Sequence, residues 1–112
     1  MMREIAWIKA AQKDFRKFPK AVQDTMLDAV TIASFGQKAD LAKPMKHLGS
    51  GVMEIALPFR SDAYRVIYTV QIGDALWVVH AFQKKSTKGI ATPKKEIDLI
   101  KARLKQIREM ES

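Results

Sequence analysis

The chain contains no cysteine. That excludes disulfides, cysteine-ligated zinc and a thiol nucleophile, and it fits a reducing, cytoplasmic setting. Histidine is scarce too: His47 and His80 are the only two, and neither has an Asp, Glu or His at a known metal-ligand spacing. No metal or other cofactor is expected. No run approaches the roughly 18 apolar residues of a membrane span. The N-terminal "MMREIAWIKAAQKDF" has no uninterrupted apolar core and reads as mature structure rather than a signal peptide. There is no P-loop, no G-x-G-x-x-G and no G-x-S-x-G elbow; "GSG" at 49–51 reads as a turn.

Negative charge is also in short supply. Against 20 Lys and Arg stand 12 Asp and Glu, a net charge of +8 over 112 residues. The excess is concentrated. Residues 1–40 hold seven basic and five acidic residues, whereas residues 84–108 hold nine basic and two acidic ones. A field gathered in one segment points to a polyanionic partner, with a solvated basic face as the plain alternative. With 47% hydrophobic residues the chain is long and apolar enough for one hydrophobic core, and a single domain over 1–112 is expected.

Alternation over "REIAWI" (3–8) predicts a first strand. Ala11, Phe15 and Phe18 then recur at i, i+4 and i+7, and Val22, Met26, Val30 and Ala33 repeat at helical spacing up to Gly36. Two helices bent at Pro19 follow from this, with Gly36 as a C-terminal cap. Residues 37–51 show no period and read as a connecting loop. Three strand-like segments come next, at 52–59, 63–72 and 75–83, separated by "RSD" and "GD". The third is apolar almost throughout, so a central position covered on both faces is expected. The last element is a helix over "TPKKEIDLIKARLKQIREM", with Thr92 as N-cap, Pro93 as first residue and a stripe of Ile97, Ile100, Leu104 and Ile107. The expected fold is α+β: a small twisted antiparallel sheet with an N-terminal helix pair and a C-terminal helix, in the order β-α-α-β-β-β-α.

Arg65 stands inside a strand among apolar neighbours, sharing a face with Ile67 and Thr69 while Tyr64, Val66 and Tyr68 take the other. Such an arginine needs a partner. Glu54 on the preceding strand and a ligand phosphate are both open at this point. His80, Phe82 and Lys84 alternate to one face of the next strand. His80 reads either as a hydrogen-bonded core histidine or as a proton carrier. Lys84 and Lys85 open a run with Ser86, Thr87, Lys88 and Gly89, a mixture of cations, hydroxyls and permissive backbone suited to phosphate. If RNA is the ligand, scission without metal can use its own 2′-hydroxyl as nucleophile. The protein must then supply a base, cations and an acid. Arg65, Lys84 and Lys85 are the candidates for charge, with Tyr68 and His80 as further proton carriers and Phe82 as a stacking surface.

"YRVIYTV", "HAFQKKSTKGIATPKKEIDLIKARL" and "LGSGVMEI" resemble the RelE/HigB superfamily of bacterial type II toxins, in particular its phage-related HigB-like branch. The likeness runs from Trp7 to about Leu104. It implies a small twisted sheet with an N-terminal helix pair. It also implies a ribosome-dependent, metal-independent messenger-RNA endonuclease neutralised by a helix-turn-helix antitoxin. Arg65 matches the family's strand arginine, and Lys84 and Lys85 its basic strand end. The aromatic and acidic C-terminal tail of some members is absent, since the chain ends "REMES". The expected catalytic set is therefore Arg65, Lys84, Lys85, Tyr68 and His80. Lys46, Arg60, Phe82, Lys88, Lys94 and Lys95 are the expected RNA contacts. Messenger RNA, the ribosome and the antitoxin are the expected partners, with no membrane. Two alternatives remain: a member that binds without cleaving, and a basic domain that binds an acidic protein.

Overall fold

A computed structural model describes residues 2–49, 51–84 and 92–111. The elements are β1 (Ile5–Trp7), α1 (Lys9–Phe15), α2 (Lys20–Ser34), β2 (Ala42–Pro44), a 3₁₀ turn (Lys46–Leu48), β3 (Val52–Phe59), β4 (Asp62–Thr69), β5 (Leu76–Lys84) and α3 (Lys94–Glu111). The five strands form one sheet in the order β1-β5-β4-β3-β2. The class is α+β as expected, with two differences in the sheet. The loop expected over 37–51 contributes an edge strand, β2, paired to β3 from Ala42↔Ile55 to Pro44↔Met53. And β1 runs parallel to β5, so the sheet is mixed rather than wholly antiparallel.

The three-strand meander matches the alternation pattern. β3 and β4 pair from Val52↔Thr69 to Phe59↔Asp62, leaving Arg60 and Ser61 as a two-residue turn with Arg60 at φ 59°. β4 ends at Thr69 rather than at residue 72, and Val70 makes a last bond to the Gly51 carbonyl before the chain turns. β4, not β5, is the middle strand. Among the described residues β1 pairs only with Leu76, Trp77 and Val78, so the rest of β5 has no outer strand neighbour.

Both faces of the sheet are covered. α1 and α2 bring Phe15, Phe18, Val22, Met26 and Val30 against Ile55, Tyr64, Val66, Tyr68 and Val78. A relay of ring contacts, Trp7–Phe15 (5.1 Å), Phe15–Phe18 (5.6 Å) and Phe18–Tyr64 (4.8 Å), pins α1 to the sheet. Gly36, at φ 86°, ends α2 by donating to the Ala33 carbonyl, a left-handed cap that a side chain would strain. On the other face α3 sets Ile100, Leu104 and Ile107 against Val52, Ile67 and Val79. Each such side chain contributes about 1.5–3 kcal/mol when fully buried. Pro93 accepts the first hydrogen bond of α3, from Ile97 at 3.1 Å, so it takes the capping place expected for Thr92.

One irregularity positions the site. Ile67 pairs with His80 and Tyr68 with Val78, so Val79 has no partner on β4. This bulge turns two consecutive side chains, Val79 and His80, toward α3. Strict alternation from Trp77 would send His80 to the helix-pair side instead.

Candidate functional site

Alternation in β4 places Arg65 on the α3 face with Ile67, while Tyr64, Val66 and Tyr68 join the helix-pair core. Arg65 is only 7% exposed. Its Nη1 donates to Glu54 Oε2 at 3.1 Å and to Thr92 Oγ1 at 3.2 Å, and the Thr92 hydroxyl donates to the same Glu54 oxygen at 2.9 Å. The Glu54 partnership left open by the sequence is thus present. Thr92 spends its hydroxyl there rather than on the helix end, which ties the residue two before α3 to Arg65 and Glu54.

One strand over, Phe82 lies opposite Arg65 and stacks on His80 with centroids 5.2 Å apart. Arg103 Nη1 lies 2.9 Å from His80 Nδ1 and also donates to the Val79 carbonyl at 3.1 Å, the group released by the bulge. A guanidinium only donates, so Nδ1 is unprotonated. The imidazole proton is then on Nε2, aimed at Glu96 Oε1 at 3.4 Å. Both nitrogens are occupied, and both partners belong to α3. Here His80 fastens that helix to the sheet. An open cleft of about 330 Å³ runs beside it, along the unpaired half of β5, between Asp14 of α1 and Phe18 just past its end on one side and Glu96 and Leu99 of α3 on the other.

The sequence-derived site residues divide as follows. Arg65, His80, Phe82 and Lys84 share the α3 face, with Lys84 half-buried at the end of β5. Tyr68 does not join them. It is 2% exposed in the opposite core, where burial raises its phenol above the ordinary value. Lys46 is in the 3₁₀ turn, Arg60 lies over the Phe59 ring at 5.3 Å in the β3–β4 turn, and Lys94 and Lys95 are exposed at the start of α3. Lys85 and Lys88 lie outside the described residues. Sequence reasoning missed Glu96 and Arg103. Their signal was available: residues 96, 100, 103 and 107 follow helical spacing, so both charges lie on the apolar stripe.

Burial pushes the His80 imidazole below its ordinary value; Glu96 opposes the shift and Arg103 reinforces it. The unfolded chain therefore takes up this proton first. The contribution of His80 to stability is complete above the unfolded value of about 6.5 and is lost as pH falls through the folded one. Urea unfolding should accordingly show lower stability at pH 5 than at pH 7.5, and His80→Gln should shrink that difference. An unchanged difference in the variant would assign the effect to other groups.

A family model described as "Phage derived protein Gp49-like (DUF891)" matches residues 13–105. No curated protein matches the chain. Among solved structures, a doubly substituted E. coli toxin RelE in its free state superposes with a TM-score of 0.62 at 17% identity. The match covers 96% of this chain and 99% of that one. At that identity the likeness concerns the fold, and it agrees with the mixed α+β sheet described above. The chain therefore belongs to the phage-derived Gp49-like family and carries a RelE-like fold.

Proposed function

We propose that the protein is the toxin of a toxin–antitoxin pair and an endoribonuclease that cuts messenger RNA on the ribosome without a metal. The observation that carries this reading is Arg65, held on one face of the sheet with Glu54, Phe82 and Lys84 beside it. Among the described residues no three His, Cys, Asp or Glu side chains converge on a point that could hold a metal ion. The proposed chemistry is attack of the RNA 2′-oxygen on the adjacent phosphorus. The O2′–P bond forms and the P–O5′ bond breaks. Glu54 takes the 2′-hydroxyl proton, Arg65 and Lys84 hold the extra charge on the phosphate oxygens, and a lysine ammonium protonates the leaving 5′-oxygen. Phe82 offers a ring to a neighbouring base. His80 drops out as base, since Arg103 occupies its one lone pair.

Arg65 and Glu54 are largely shielded from solvent and both hydrogen-bonded to Thr92, so RNA contact with them calls for Thr92 to move aside. That shielding equally favours a second reading, a member that binds RNA, ribosome or a helix-turn-helix antitoxin without cutting. Among the described residues no helix is long and apolar enough to cross a membrane, and a cytoplasmic site of action fits both readings. The test is the chemistry of the product ends. Attack by the 2′-oxygen leaves a 2′,3′-cyclic phosphate or its 3′-phosphate hydrolysis product. A 3′-hydroxyl end would reject the mechanism.

A further inference from the structure

One flank of α3 lies outside the cleft around Arg65. Taking 100° per residue, Lys94, Lys101, Lys105 and Arg108 fall within about 60° of arc and span about 21 Å of helix. All four are exposed, on a flank centred roughly 100° round the helix from the stripe of Ile100, Leu104 and Ile107. The row does not end with the helix. Arg108 reaches across to the 3₁₀-turn loop, where its Nη2 lies 3.6 Å from the position a Cβ would take on Gly49. Lys46 is exposed in that same loop. The α3 row, with this loop beside its Arg108 end, forms a basic ridge, with Asp98 and Glu109 along a single flank.

We infer that this ridge binds the sugar–phosphate backbone of double-helical RNA, separately from the cleft around Arg65. Charge gives the sign of the ligand, and the neighbouring residues narrow its class. A protein partner of useful affinity needs an apolar or aromatic centre. The large exposed apolar residues of α3, Leu99 and Met110, lie more than 90° of helical arc from the row's centre. A lipid surface would need an apolar face beside the cations, which is missing for the same reason. Single-stranded nucleic acid is held by stacking on aromatic rings. No exposed Phe, Tyr or Trp lies on the ridge; the large exposed aromatic among the described residues is Phe35, just past the end of α2 across the sheet. Phosphate contact without base contact is what a duplex backbone requires. The choice of RNA over DNA rests on the function proposed above; the ridge does not. The duplex would anchor the protein while a single strand enters the cleft.

The experiment compares binding of a 20-base-pair RNA duplex and a single-stranded RNA of equal length across a salt series. The variants are Lys101→Gln/Lys105→Gln/Arg108→Gln and, to spare the Gly49 contact, Lys101→Gln/Lys105→Gln. A control, Lys9→Gln/Lys13→Gln/Arg16→Gln, removes equal charge from α1 and its end. The triple ridge variant should weaken duplex binding at least tenfold at about 0.1 M salt and flatten the salt slope by roughly 2 to 3. The double variant should give an intermediate loss. Single-strand binding should change less than threefold, with an unchanged melting temperature. Equal loss with the control variant, or equal loss for both RNAs, would show a response to net charge and overturn the ridge. Binding needs no cleavage, so a protein that never cuts RNA still passes or fails this test.

Discussion

Arg65→Ala is expected to slow single-turnover cleavage of programmed ribosomes by about 10²- to 10³-fold at saturating protein, the usual effect of deleting one preorganised donor to a reacting oxyanion. Arg65→Lys should recover only part of this, because a point charge cannot reproduce the planar fork. Stability will change as well. Arg65 and Glu54 are 8% and 15% exposed at the side chain, and removing one member of such a pair leaves the other charge buried. That penalty is about 3–5 kcal/mol, against a total of about 5–15 kcal/mol for a typical domain. The rate must therefore be read at a temperature where circular dichroism shows the variant folded. A folded Arg65→Ala protein that cuts as fast as the parent would make the pair purely structural, and the non-cleaving reading would stand.

Glu54→Gln separates the two roles in that pair. The amide keeps an oxygen for Thr92 and Arg65 at nearly the same shape but leaves the Arg65 charge without its counter-ion, so stability falls here too and the rate must again be read on folded protein. The carboxylate is nevertheless gone. If Glu54 removes the 2′-hydroxyl proton, cleavage should fall by about 10²- to 10⁴-fold, the range ascribed to a positioned general base. A faster enzyme would mean that Glu54 only competes with the phosphate for Arg65. An unchanged rate would mean that another group is the base.

The parts of this picture legible in the sequence were those with a period. An eight-residue apolar-rich run bounded by turn residues marks β3, helical spacing marks α2 and α3, and the apolar stretch of β5 marks a strand covered on both faces. β2 was not legible: three residues, two of them Lys and Pro, carry no alternation, and only the partner strand makes them a strand. The parallel pairing of β1 has no local signature either. The bulge at Val79 is a single extra residue whose effect is felt only across the sheet, yet it decides that His80 faces α3. Within the site, Arg65 and its Glu54 partner could be read from alternation on two strands. The Arg103–His80–Glu96 contact could not be read from charge alone, because counting α3 as basic hid the fact that one of its cations points inward.

The pairing of β1 with β5 has a consequence for how the chain assembles. β3, β4 and β5 meet their neighbours across short turns, so their ladders form with little loop closure. Ile5 reaches Leu76 only after both helices and the whole meander have been spanned. The entropy of closing that interval must be met before any β1–β5 hydrogen bond repays it. Trp7, at the end of β1, touches Phe15 locally but pairs with Val78 only once that closure is complete, so its indole sits where the two halves of the chain join.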